Sequence, residues 1–149
     1  MRGSRYRDVY FMKIHTIKQP DSAACGLAVI KMITNYFDVD ISMRKIKEIT
    51  RYDKKEGMAN RKIVKTLKNV GLMVREKNNT TWSDLQKANK KGNAVIVSWM
   101  LKGYIGHVSI LEKISNKDIY LADSIEGRII RIPHSIYKCN LWIKIFNRF

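Results

Sequence analysis

A thiol at Cys25, an imidazole at His107 and a carboxylate at Asp123 are the side chains of this 149-residue sequence whose combination could carry chemistry. A thiolate is a strong nucleophile, an imidazole takes and returns a proton near neutral pH, and a carboxylate fixes the imidazole's tautomer and stabilises its cation. Asp21 and Ser22, both cap-forming residue types, stand just ahead of the cysteine. Behind it, Cys25, Ala28, Val29, Met32, Ile33, Tyr36 and Phe37 recur at the i, i+3, i+4 spacing of an amphipathic helix. The thiol is therefore expected in the first turn of a buried helix, near free N–H groups and the positive end of the dipole. That setting lowers a thiol pKa from its usual value of about 8.5. Taken alone, Cys25 reads as readily as the first apolar residue of the stripe.

His107 and Asp123 fall on two strands, His107 to Ile114 and Lys117 to Asp123, separated by a turn at Ser115-Asn116. Opposed residues of an antiparallel pair share a face, and so do residues two positions away. A three-residue loop Ile114-Ser115-Asn116 sets His107 opposite Asp123. The same loop one position later sets Asp123 opposite Ser109 and diagonal to His107. A strict two-residue turn sends the two side chains to opposite faces. The chemistry thus requires an odd loop, and three-residue hairpins are common. Each residue also has a plainer reading, His107 as a loop histidine after Gly106 and Asp123 as a turn former before Ser124. His15 and His134 have no carboxylate partner in the pattern.

The elements around these residues follow from capping and periodicity. Ser42 as cap, with Ile41 stapled to Ile46, starts a short helix running to about Thr50. Ile63, Val64, Leu67 and Val70 mark a third helix closed by Gly71, and Val74 falls in a short strand. Thr81 with Asp84 opens a fourth helix, with Trp82, Leu85 and Ala88 inward and Gly92 at its end. The run Ala94 to Trp99 is a continuously buried strand, and Arg128 to Ile132 and Leu141 to Phe146 alternate as half-buried strands. Helices followed by an antiparallel sheet give an α+β fold of two lobes.

Composition bounds the remainder. Apolar content of 45% suits one globular domain, and no run approaches the length of a membrane span. The opening Met-Arg-Gly-Ser resembles a vector leader, so residues 1–11 are set aside as a tag or flexible extension and 12–149 are taken as the domain. Two distant cysteines make neither a disulfide framework nor a metal-ligand spacing. A reducing compartment is expected, and Cys139 reads as a structural or incidental thiol. With 29 Lys plus Arg against 13 Asp plus Glu, the net charge is +16. The excess is dense between Arg44 and Lys68 and again at Lys87, Lys90 and Lys91. Such a field attracts nucleic acid, anionic membrane or acidic peptide without choosing among them, although each cluster alone reads as a solvated helix face.

The chain resembles the papain-like peptidase domain of bacteriocin-processing ABC transporters. The resemblance rests on Gln19, then Cys25-Gly26-Leu27-Ala28, then Gly106-His107-Val108, then Ala122-Asp123 with Gly127 after it. It spans about Ile14 to Phe146, and its force lies in order and spacing rather than in any one motif. It implies a papain-like fold with an N-terminal helical lobe and a C-terminal sheet lobe. It implies Cys25 as nucleophile, His107 as general base and acid, and Asp123 as the residue orienting His107. Gln19 is implied as a side-chain donor to an oxyanion hole, beside the Cys25 backbone N–H. The implied substrates are bacteriocin or lantibiotic-type precursors with an amphipathic helical leader, cut after Gly-Gly or Gly-Ala. No cofactor or metal is implied. The implied partners are the membrane-spanning and ATP-binding parts of an exporter, at the cytoplasmic face of a bacterial membrane.

Two positions depart from that family. Ala24 stands where an acidic or polar residue is common before the cysteine, and Ser124 where proline commonly follows the aspartate. With no Walker-type sequence and an end after the last strand, the chain is expected to be an excised N-terminal domain or a free-standing peptidase. Two other function classes compete. One is a leader-docking domain without catalysis, a role some relatives play after losing the cysteine that this chain keeps. The other is a basic nucleic-acid binder, for which the sequence has no recognition-helix, zinc or stacking-aromatic signature.

Overall fold

The computed structural model describes residues 11–101, 105–137 and 139–146. Their elements are helices α1 (Cys25–Tyr36), α2 (Met43–Thr50), α3 (Asn60–Asn69) and α4 (Trp82–Ala88), and strands β1 (Met73–Asn78), β2 (Asn93–Leu101), β3 (Ile105–Ile114), β4 (Asp118–Asp123), β5 (Arg128–Pro133) and β6 (Cys139–Phe146). The tag-like start and the side chain of Cys139 lie outside the described residues, as do the side chains of β6 except Ile145.

Local chemistry sets most boundaries. Ser42 Oγ accepts the Lys45 N–H at 3.1 Å and caps α2. Thr81 and Asp84 form a reciprocal capping box on α4. Gly71, at φ +97°, takes the left-handed conformation that turns the chain after α3. Two expectations need correction. Gly92 does not end α4. The helix stops at Ala88, whose carbonyl accepts from the Asn93 side chain at 3.0 Å, and Gly92 serves the turn into β2. Nor do Asp21 and Ser22 cap α1, whose N-cap is Ala24 without a side-chain bond. Asp21 instead closes the preceding turn, accepting the Ala23 N–H at 3.0 Å.

The six strands form one antiparallel sheet in the order β1-β6-β2-β3-β4-β5. Alternate residues of β2 face opposite cores, which is why the run from Ala94 to Trp99 is apolar at every position but Ser98. Ala94 and Ile96 join Leu27, Ile30 and Ile33 of α1 with Ile46, Ile63 and Leu67 of α2 and α3. Val95, Val97 and Trp99 join Leu85 and Ala88 of α4 and Leu111, Ile119 and Leu121. The helices thus divide between the two faces of the sheet, with α4 alone on the second.

The hairpin reaches the required register by another route. Ile114 pairs with Ile119 and the Ser115 N–H donates to the Asp118 carbonyl at 2.9 Å, so an even number of residues separates the paired positions where an odd loop is expected. On that register alone, His107 and Asp123 would project to opposite faces. A β-bulge then intervenes. Lys113 pairs with Tyr120 but Leu111 with Leu121, leaving Glu112 as an extra residue on β3, and Ile110 pairs with Ala122. Continued by one residue, this register sets Ser109 beside Asp123 and His107 diagonal to it. The parity comes from a bulge and not from the loop.

Candidate active site

Cys25 is the first residue of α1, half-buried, with no capping side chain over the helix start. His107 lies near the start of β3 and Asp123 ends β4, at 4% and 2% exposure. His107 Nε2 lies 2.7 Å from Asp123 Oδ1, which leaves Nδ1 to the thiol. Asp123 Oδ2 accepts the Glu126 N–H at 3.0 Å, and Oδ1 accepts the Ser109 hydroxyl at 3.3 Å. Ser109 is in turn held by the Trp99 indole N–H at 3.0 Å. Trp99 also packs edge-on against the His107 ring, with centroids 5.8 Å apart.

The electrostatics form one chain. Burial pushes the Cys25 thiol up, but hydrogen bonds from His107 and the Val108 backbone, with the His107 charge, outweigh it and the net shift is downward. Burial pushes His107 down, while its bonds to Asp123 and Cys25 raise it overall to about 9. Asp123 is raised by burial yet ends below its usual value, because His107 and the Glu126 N–H stabilise the carboxylate. The arrangement therefore favours a thiolate beside an imidazolium beside a carboxylate.

Gln19 arrives from the other side, on an arm running from Met12 without regular secondary structure. Glu112 anchors the arm's start. Its buried carboxylate accepts the backbone N–H groups of Lys13 and Ile14, the latter at 3.1 Å, and its carbonyl accepts from Met12 at 3.0 Å. Further along, Thr16 Oγ1 donates to the Gly127 carbonyl at 2.8 Å, and the Gln19 N–H to the Ser124 carbonyl at 2.8 Å. The Gln19 amide then lies between Ser124 and the Asp21 turn, with Nε2 donating to the Asp21 carbonyl at 2.8 Å. A segment from Arg51 to Ala59 covers the start of α1. Tyr52 OH donates to Asp21 Oδ1 at 2.5 Å, and a Cβ built on Gly26 would meet Met58 Sδ at 3.0 Å, a tight contact to which the Met58 side chain would have to yield.

The fold thus brings Cys25, His107 and Asp123 into contact and places Gln19 on the turn before the helix. Sequence reasoning missed the contacts of Trp99 and Glu112, met Ser109 only as a register partner, and met Ser124 only as a departure from the family pattern and a neighbour of Asp123. His134 stacks on Trp82 with centroids 3.7 Å apart, away from these residues.

A helix that begins on a cysteine, meeting an antiparallel sheet that carries a histidine–aspartate pair, is the architecture of papain-like cysteine peptidases. The family model described as the peptidase C39 family matches residues 13–138, and the chain belongs to that family of cysteine peptidases. No curated protein matches it by sequence. Solved structures do. A double glycine motif protease from an AMS/PCAT transporter, in complex with the leader peptide, is 18% identical with a TM-score of 0.75, over 93% of this chain and 94% of that one. The peptidase domain of Streptococcus ComA, a bi-functional ABC transporter involved in a quorum-sensing pathway, is 19% identical with a TM-score of 0.73, over 90% and 98%. A C39-like peptidase from Bacillus anthracis is 12% identical with a TM-score of 0.73, over 95% and 98%. At these identities the likeness speaks to fold.

Proposed function

We propose that this chain is an endopeptidase that removes the leader of a bacteriocin or lantibiotic-type precursor after Gly-Gly or Gly-Ala, in step with export. The observation that carries the reading is the continuous Cys25–His107–Asp123 chain of contacts in a member of the peptidase C39 family. His107 takes the Cys25 proton, and the thiolate attacks the carbonyl carbon before the scissile bond. The negative charge then moves to the carbonyl oxygen, facing the Cys25 N–H and the Gln19 Nε2 donor. The imidazolium returns its proton to the leaving amine, giving a thioester on Cys25. Water, deprotonated by His107, releases the leader. Asp123 holds the ring for each transfer.

The roof over α1 supports the choice of small residues. Met58 presses on Gly26 and Gly57 lies beside the Ala23 carbonyl, so the segment packs closely over the start of α1, and on this reading it excludes larger side chains before the cut. Charge supports a long acidic leader. Between α2 and α3 lies a cavity of about 660 Å³ lined by Arg51, Arg61, Lys62 and Lys65, with no acidic residue among its lining. Arg51 precedes Tyr52, which touches the turn before Cys25. Partners of the same reading are the membrane-spanning and ATP-binding parts of an exporter, which would hold the domain at the cytoplasmic face. No helix of the described residues is long and apolar enough to cross a membrane itself.

The test is mass spectrometry of a Gly-Gly leader peptide incubated with the protein and with Cys25→Ala. Cleavage at the second glycine by the first alone is expected, with peptide binding kept by the second. An intact peptide in both, still bound, would instead establish a docking domain.

A further inference from the structure

We propose that Ser124 is a positioning residue for the oxyanion donor, locking the Gln19 amide through its hydroxyl. The inference rests on the catalytic reading above. Ser124 is fully buried, and its Oγ donates to Gln19 Oε1 at 2.6 Å. Its carbonyl accepts the Gln19 backbone N–H at 2.8 Å. At the amide's other end, Nε2 donates to the Asp21 carbonyl.

These contacts select one orientation. A carbonyl oxygen only accepts, so the Asp21 carbonyl demands the NH₂ end, whereas a hydroxyl can turn to donate to Oε1. With the oxygen held by Ser124 and one amide hydrogen taken by Asp21, the second hydrogen of Nε2 is left for the developing oxyanion. A free glutamine side chain would have to be ordered from several rotamers in every catalytic cycle. Preorganisation removes that cost before the substrate arrives. The placement also links the two halves of the site, since Ser124 follows the carboxylate that orients His107.

A merely structural Ser124 and a positioning Ser124 differ in what they move. Removing one oxyanion donor costs about 10²–10³ in rate, and loosening it should forfeit part of that. Ser124→Ala is expected to lower kcat on a Gly-Gly leader peptide by roughly tenfold, with KM within about twofold. A peptide aldehyde ending in Gly-Gly, whose adduct on Cys25 carries the same oxygen, should bind about tenfold more weakly. Iodoacetamide alkylation of Cys25 needs no oxyanion donor, so its rate and pH profile should stay unchanged. Ser124→Thr, which keeps the hydroxyl, should recover most of the loss. In a Gln19→Ala background, Ser124→Ala should cost nothing further.

Three results would overturn the proposal: unaltered kcat and aldehyde affinity, an alkylation profile shifted in parallel with kcat, or losses that multiply with Gln19→Ala. If the unaltered protein leaves every leader peptide intact, the endopeptidase reading falls separately. The aldehyde affinity still reads the Ser124–Gln19 contact in that case, with Cys25 alkylation as the control that the contact should not move.

Discussion

At the scale of single residues, the site is a set of charges stabilised by one another. The thiol sits below and the imidazole above its ordinary value, so the thiolate–imidazolium pair occupies the window between them. On the proposed mechanism, the nucleophile is lost as pH falls through the lowered thiol value and the proton returns to sulfur. As pH rises past about 9, His107 loses the proton that the same mechanism gives to the leaving amine. A bell-shaped pH dependence of kcat/KM is expected, its acid limb below the ordinary thiol range and its alkaline limb near 9. Asp123→Ala removes the hydrogen bond that raises His107. It should pull the alkaline limb down and cut kcat/KM by about 10²–10⁴. An unmoved alkaline limb, read from initial rates across pH, would separate Asp123 from the imidazole's titration.

At the scale of elements, Glu112 joins two structural tasks. As the bulged residue of β3 it restores the register that puts His107 and Asp123 on one face. As a buried carboxylate it holds the first residues of the arm that delivers Gln19. Glu112→Ala leaves the Lys13 and Ile14 N–H groups without that acceptor, which should cost about 1–3 kcal/mol of stability. The urea midpoint should fall by the corresponding amount, and kcat should fall with it as the arm loosens. Unchanged kcat alongside reduced stability would show that the Ser124 and Gly127 contacts hold Gln19 unaided. The same elements show what a sequence conceals. The helix starts at Ser42 and Thr81 are legible because a cap lies within three residues of its partner. The bulge at Glu112 has no local signature, because its carboxylate is satisfied by the arm about 99 residues away.

At the scale of the molecule, one dense part of the +16 charge lies where α2 and α3 frame the basic cavity, whose Arg51 is one residue in sequence from the Tyr52 that touches the turn before Cys25. Association with an acidic leader should therefore weaken with salt. Between about 50 and 500 mM NaCl, over which the Debye length shrinks from roughly 14 Å to 4 Å, KM should rise several-fold while kcat holds. A leader whose acidic residues are replaced by their amides should lose that dependence. Equal salt sensitivity of the two peptides would place the charge outside substrate capture.

Order and spacing by themselves determined the chemistry on offer. They paired one thiol with one histidine and one aspartate, gave the helix behind the thiol, and gave the alternation that ranks the strands. These are local or periodic properties, written wherever backbone geometry repeats. Only the tertiary structure decided how the pieces meet. It put α4 on the far side of the sheet, moved the hairpin's parity from the loop to Glu112, and supported Asp123 through Trp99 and Ser109. It also set Ser124 against Gln19, about 105 positions earlier in the chain. A hydroxyl or an indole carries no sign of its partner until folding supplies it. The residues proposed to do chemistry are readable by type, and the residues that hold them in place are readable only by contact.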